Sequence, residues 1–492
     1  MNSVDSRARW IALLILCLGT LMIVLDTTIV NVALPTIKRS LGFSASSLAW
    51  VVNGYLLTFG GFLLLGGRLG DMFGPRRLFI GGIALFTLAS LASLACGLAD
   101  SQGMLVAARV IQGFGGATVS AVSLALTMTL FVEEGERAKA MGIFGFVAAG
   151  GGSVGVLAGG ILTDLFSWHW IFLVNVPIGV CVSVLAFRVL PEGSRAHADR
   201  QLDLGGAVSI TAALMLAVYA IVNGNQAGWT SAQTLGLLGG AVALLAAFLT
   251  IESRVSAPLM PLGLFRSRNL ATANGLGVLW AGALFAWFFL SALYLQLVLG
   301  YSPLKVGLAF LPANLIMGAL SIGVSAMLVI RFGLKRPLVA GLLLACAGLV
   351  LFARAPVHGS FVADVLPPMI LLGLGGGIVF NPMLLAAMGD VEASDSGLAS
   401  GLVNTSFMMG GALGLAILAS LAASRSSSLL AAHHSHAAAL VGGYHLAFVV
   451  GAGFALIAAA VAAVSLRDRS EVPATAHGGG LHAAETLTER GV

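Results

Sequence analysis

Fourteen apolar runs divide this sequence, each near the roughly 20 residues that a helix needs to cross a bilayer. They cover residues 10–34, 48–67, 78–97, 103–130, 139–162, 169–190, 204–223, 234–251, 270–296, 305–330, 337–354, 364–386, 397–423 and 443–466. Charges, prolines and turn residues separate them. Only 9% of the 492 residues are charged, whereas a soluble domain carries about 25%, and the mean hydropathy is +1.00. An all-α polytopic membrane protein is expected. The first run follows Arg7 and Arg9. It is too long for a signal peptide and lacks a clear cleavage site, so it reads as a retained span. Cys17, Cys96, Cys181 and Cys346 fall in four different runs with no C-x-x-C. That pattern indicates neither a disulfide framework nor a metal site.

An even number of spans places both termini on one side. With the N-terminus in the cytoplasm, Lys38, Arg39, Lys305, Arg354 and Arg425 fall outside. Setting Arg109 aside, the other 19 of the 25 Lys and Arg residues fall inside. This bias follows the positive-inside rule and puts both termini and the 188–203 connection in the cytoplasm. It also explains a pI near 9.3 with no nucleic acid as partner. The tail after Arg469 is rich in Gly, Ala, His and Thr and reads as disordered.

Asp26 and Arg109 are the two charges set within apolar runs. A charge at the bilayer centre costs about 2.5–3.5 kcal/mol on insertion scales, so a chain that keeps one of each sign is expected to use them. Asp26 lies 16 residues beyond Trp10, about 24 Å at helical rise. Arg109 lies six residues past Gly103 on a span running the other way, about 9 Å in. Both therefore reach a similar depth in the outer half. The work most compatible with such a pair is moving protons or ions; the alternative is a permanent structural ion pair.

The chain also repeats itself. MFGPRRLFIGGI (72–83) matches RFGLKRPLVAGL (331–342) at an offset of 259. Gly113, Gly115 and Gly116 match Gly373, Gly375 and Gly376 at 260, and Gly142, Gly151, Gly152 and Gly155 match Gly401, Gly410, Gly411 and Gly414 at 259. The offset equals eight spans, giving a layout of six, two extra and six. Repeated halves are usual in secondary transporters, with a site between them near the midplane. Arg109 aligns with Met369 and Asp26 falls near Phe285, so the first half carries the charges. The second half offers Trp280, Phe285, Trp287, Phe288, Phe289 and Tyr294 in one span, as the lining of an apolar cavity or as lipid-facing aromatics.

Four segments resemble the major facilitator superfamily, and in particular its 14-span drug:proton antiporters. G-R-L-G-D-M-F-G-P-R-R (67–77) is similar to the signature loop between spans 2 and 3. L-D-T-T-I-V-N-V-A-L-P (25–35) resembles the first-span motif, R-V-I-Q-G-F-G-G-A (109–117) the fourth-span basic motif, and G-G-G-S-V-G-V-L-A-G-G (150–160) the fifth-span antiporter motif. The resemblance covers spans 1 to 14. It departs from the family at Met72 and Pro75, where basic residues are usual, and at Val156, where a proline is usual. It implies two six-helix bundles, 1–190 and 266–466, with two extra helices and linkers at 191–265 and a tail at 467–492.

The resemblance also assigns roles. Asp26 and Arg109 would couple protons and substrate, with Asn31, Gln112, Trp280, Phe285, Trp287 and Tyr294 as cavity candidates. Gly67, Asp71, Gly74, Arg76 and Arg77 would form a gating loop. Asp71 would face the helix start near Ser396 and Gly397, where a carboxylate meets the positive end of the helix dipole. Arg76 and Arg77 have Glu133, Glu134 and Glu136 as possible partners, or serve topology alone. Gly151, Gly155 and Gly159 repeat every four residues beside Gly160. That stripe suits close helix packing, and also a sliding contact between halves.

The expected function is proton-driven export of lipophilic, drug-like compounds across the plasma membrane. The expected protein is a monomer with no cofactor. An uptake symporter or a carrier of one metabolite is the alternative within transport. Spans 9 to 14 hold no intramembrane acid or base, which favours an apolar substrate. A membrane-embedded enzyme or receptor is the alternative of another class. No Ser/His/Asp cluster, H-E-x-x-H or paired Cys supports an enzyme, and no phosphate-loop lysine supports ATP binding. His433, His434 and His436 read as a solvated loop more readily than as a metal site.

Overall fold

The computed structural model describes residues 6–44, 46–99, 101–131, 133–191, 203–255, 258–389, 391 and 396–466. The tail, most of the 191–202 linker, and the side chains of Asp71, Cys96, Glu134 and Ser396 lie outside that description.

Every regular element among the described residues is helical. In chain order these are α1 (Ser6–Leu41), α2 (Trp50–Phe73), α3 (Pro75–Ala99), α4 (Gln102–Leu130), α5 (Glu134–Leu165), α6 (Trp170–Leu173), α7 (Asn175–Val189) and α8 (Leu204–Ala227). They continue as α9 (Ala232–Arg254), α10 (Arg268–Leu293), α11 (Pro303–Ala319), α12 (Ser325–Phe332), α13 (Lys335–Phe352), α14 (Leu366–Met388), α15 (Ser396–Ala431) and α16 (His436–Ser465). Short polar side chains start many of them. Ser101, Ser231, Ser267, Ser302 and Ser435 each accept a backbone N–H two or three residues into the helix, which satisfies a donor that the helix leaves unpaired. Gly74 ends α2 at φ +91°, a conformation that favours glycine.

Among the described residues, twelve helical stretches are long and apolar enough to cross a membrane, and two further apolar helices, Gly151–Leu165 and Pro303–Ala319, are shorter. The shorter two belong to longer rods. Gly151–Leu165 is the end of α5, which has 32 residues. Pro303–Ala319 runs through a π-helical turn, Leu320–Val324, into α12. Several helices outrun the apolar runs. The first reaches Leu41 and carries Lys38 and Arg39 in its last turn, because long basic side chains bury their stems and keep their charge in water. The run 169–190 is not one helix but α6 and α7, joined at Val174.

Helices α1–α5 and α7 pack on one another, and α10, α11 and α13–α16 form a second packed group. The groups meet where α5 lies on α11, α2 on α15 and α1 on α10. Helix α8 lies against both α2 and α15, with α9 packed on its far side. The glycine repeat is a packing repeat. A Cβ on Gly115 would sit 2.9 Å from the Gly82 carbonyl, and one on Gly375 would sit 2.7 Å from the Gly341 carbonyl. The same glycine pair thus joins α3 to α4 and α13 to α14. On α5, Gly155 meets the Leu25 carbonyl of α1; its counterpart Gly414 on α15 meets Gly282 of α10. Small residues let membrane helices approach backbone to backbone.

Candidate functional site

Asp26 of α1 is fully buried, and Arg109 of α4 is 1% exposed. The Arg109 Nη1 group donates to Asp26 Oδ2 in a salt bridge. Gln112 stands three residues from Arg109, on the same helix face. Its Nε2 donates to Asp26 Oδ1 at 3.3 Å and to Ser90 Oγ of α3 at 2.8 Å, while its Oε1 accepts from Arg109 at 2.8 Å. Asn175, the first residue of α7, donates from Nδ2 to Asp26 Oδ1 at 3.0 Å. Arg109 Nε donates to the Val51 carbonyl at 3.0 Å. The guanidinium lies 4.5 Å from the Tyr55 ring centre and 5.8 Å from that of Phe172. Five helices and the α6 turn therefore converge on the Asp26–Arg109 pair and Gln112.

The chemistry of this cluster follows from its donors. Every group bonded to Asp26 is an N–H donor, so both carboxylate oxygens serve here only as acceptors. The pair is neutral overall, and its hydrogen bonds to Gln112, Asn175 and the Val51 carbonyl help offset the cost of taking two charges out of water. Next to it, Asn175 Oδ1 and Tyr55 Oη are buried with no hydrogen-bond partner. The cluster thus holds spare acceptors beside the carboxylate.

The other sequence candidates fall elsewhere. Asn31 donates to the Thr27 carbonyl of its own helix. Trp280, Trp287 and Tyr294 are buried in the second helix group. Trp287 packs on Phe288 and Phe310, Phe285 meets Phe407 edge-on, and Tyr294 donates to the Pro356 carbonyl. Trp280, Trp287 and Tyr294 are packed core, Phe285 is half-buried, and the glycines of α15 lie close against α10. A Cβ on Gly67 would sit 4.0 Å from the side chain of Ala121 of α4. Arg76 donates to the Phe187 carbonyl at the end of α7 and stacks on the Phe187 ring, a favourable place for a cation. Arg77 is exposed. Glu136 pairs with Arg9 at 2.8 Å. His433, His434 and His436 are exposed, and no cluster of three or more His, Cys, Asp or Glu among the described residues is placed to hold a metal.

The glycine stripe is a close helix-packing contact, the first of its two readings. Gly151, Gly155 and Gly159 pack on α1, within the first group. The contact between groups falls to Gly160, whose Cβ would sit 2.8 Å from the Pro303 carbonyl, and to Gly307, whose Cβ would sit 2.9 Å from the Val156 carbonyl. At the same end, Gln296 Nε2 donates to the Val32 carbonyl of α1 at 2.7 Å. Sequence reasoning missed Asn175, Ser90 and Tyr55 as members of the cluster. The only trace of Asn175 was a lone amide in the run L-V-N-V-P.

The sequence model of the Major Facilitator Superfamily matches residues 16–415. The chain is 38% identical over 473 residues to the puromycin resistance protein of Streptomyces alboniger, covering 94% of this chain and 92% of that one. It is 39% identical over 446 residues to the cephamycin export protein of Amycolatopsis lactamdurans, covering 89% and 91%. Among solved structures it resembles an auto-inhibited POT family peptide transporter, with a TM-score of 0.64 and 16% identity over 94% of this chain and 98% of that one. The xylose transporter of E. coli gives 0.63 and 15% over 94% and 99%.

Proposed function

This chain belongs to the Major Facilitator Superfamily, and from that premise we propose that it is a proton-coupled exporter of lipophilic, drug-like compounds. It is a multi-pass membrane transporter related to antibiotic-resistance and export proteins. The observation that carries the proposal is the buried Asp26–Arg109 pair with Gln112 and Asn175 around it. The relatives named for resistance and export support the direction and the substrate class; the sugar and peptide transporters share the fold alone.

In this reading Asp26 carries the proton. Its present partners all donate, so protonation needs an acceptor. Rotation of the Asn175 amide supplies one, because Asn175 Oδ1 is unpartnered. Loading a proton then weakens the pull of Arg109 on α1 and shifts the balance between two states of the helix groups. The two helix groups are the two bundles of the alternating-access machine. Helix α5 and the α11–α12 rod count as spans beside the twelve, which makes fourteen with α8 and α9 as the extra pair. Both termini are then cytoplasmic, the membrane is the plasma membrane, and the protein works as a monomer. The Gly160–Pro303 and Gln296–Val32 contacts lie at the outer end and seal it.

Two results are expected. Purified protein in liposomes moves a puromycin-like amphiphile only while a pH gradient is imposed, and dissipating the gradient stops it. Transport that ignores the gradient refutes proton coupling. Separately, Gly160→Leu keeps the fold but holds the outer seam open. A cysteine placed at Val32 in a cysteine-free background then reacts several-fold faster with an impermeant thiol reagent, while export falls. Unchanged reactivity refutes the assignment of this seam as the outer seal.

A further inference from the structure

Away from Asp26, two more carboxyls are buried together at the other end of the molecule. Asp203 caps α8, its Oδ1 accepting from the Gly206 N–H at 2.7 Å. Glu252, in the last turn of α9, accepts the Met260 N–H through Oε2 at 3.0 Å. Each residue is only 4% exposed. Each keeps one oxygen, Asp203 Oδ2 and Glu252 Oε1, without a partner. Both oxygens converge on one spot: a Cβ on Gly206 would lie 2.5 Å from the first and 2.9 Å from the second. Arg68 of α2 donates to the Pro258 carbonyl and acts electrostatically on Glu252. Arg254 is exposed, and the Asp71 side chain lies outside the described residues.

Two acceptors that face each other out of water cannot bond unless one carries a proton. One arginine offsets one negative charge, and the second carboxylate is left opposed by a like charge. We propose that Asp203 and Glu252 form a second proton-binding site, a carboxyl pair that shares one proton and thereby fastens the α8–α9 hairpin to the inner end of α2. The proton comes from water and returns to it; no other reactant is involved. Arg68 stands in the last turns of α2, in the same 67–77 segment as Asp71, so the state of this pair sets how firmly the hairpin holds that end of α2. The pair titrates as a unit, and its proton belongs to neither residue alone. The site is independent of the role proposed for Asp26.

The test uses full-length protein in nanodiscs with Asp26→Asn as the parent, so that the first carboxyl cannot contribute. Infrared titration should show a protonated-carboxyl band at neutral pH, and Glu252→Gln and Asp203→Asn should each remove the same band. Stability gives a second readout. A proton shared only in the folded state gives a stabilisation that is complete at low pH and is lost as pH rises through the titration of the pair. The unfolding midpoint of the parent should therefore fall across that range. That of Glu252→Gln should stay flat, because the amide donates to Asp203 Oδ2 at every pH. A band that survives both substitutions, or parallel midpoint curves for parent and Glu252→Gln, overturns the proposal.

Discussion

Asp26→Asn is expected to reduce gradient-driven export to the level of empty vesicles while the protein still inserts and folds. Asn has the shape of the protonated acid but cannot exchange a proton. Its single carbonyl can accept from Gln112 and Asn175, which now meet at one oxygen of Asp26. Its amide then faces the Arg109 Nη1 donor, so one charge-assisted bond is lost; such bonds contribute about 1.5–3 kcal/mol. The Val51 carbonyl and the Tyr55 and Phe172 rings still hold the guanidinium, which is why folding survives. Inverted vesicles with an imposed pH gradient supply the measurement, and binding of a labelled substrate supplies the control. If the substituted protein pumps uphill with normal proton stoichiometry, Asp26 is not the coupling group.

Arg109→Met should be the most destabilising single change at the site. It leaves the Asp26 carboxylate buried and uncompensated, a situation that costs about 3–5 kcal/mol when one partner of a buried pair is removed. The thermal midpoint should fall by many degrees, and transport should be lost with it. Adding Asp26→Asn to Arg109→Met should recover much of the stability and none of the transport, because no charge is then left unpaired. Arg109→Lys should fall between. A single ammonium cannot reach Asp26, Gln112 and the Val51 carbonyl in the directions that the planar group spans. Purely additive stability losses in the double variant would show that the two side chains are not energetically coupled.

What the sequence revealed of this site follows from what is conspicuous in an apolar run. Asp26 and Arg109 stand out because a charge there is costly. Asn175 and Ser90 do not, because neutral polar residues recur along such helices, and only the fold brings these two to the carboxylate. Periodicity identifies a face of a helix but not its neighbour. The Gly151–Gly159 stripe could therefore be read as a close contact, while its partner, α1, could not. The burial of Trp280 and Trp287 was equally illegible, since aromatic spacing is the same for a lipid-facing, cavity-lining or packed side chain. The helical repeat was legible down to its register. Its offset changes from 259 to 260 between the 331–342 match and Gly373. The π-helical turn Phe361–Val365 lies in that interval, and such a turn takes in one residue more than an α turn.

Helix α8 is tied to both helix groups at once. Asn225 donates to the Ser420 carbonyl and hydroxyl at 2.9 Å, Ser420 Oγ donates to the Ile221 carbonyl at 3.0 Å, and Thr211 fills the notch at Gly61 of α2. The flank where α2 meets α15 is therefore walled off from the bilayer, whereas the flank where α5 meets α11 has no such buttress among the described helices. A two-fold machine has been given a front and a back. In the proposed export role, a lipophilic compound dissolved in the membrane would meet one open flank instead of two, the one where Gly160 of α5 meets Pro303 of α11.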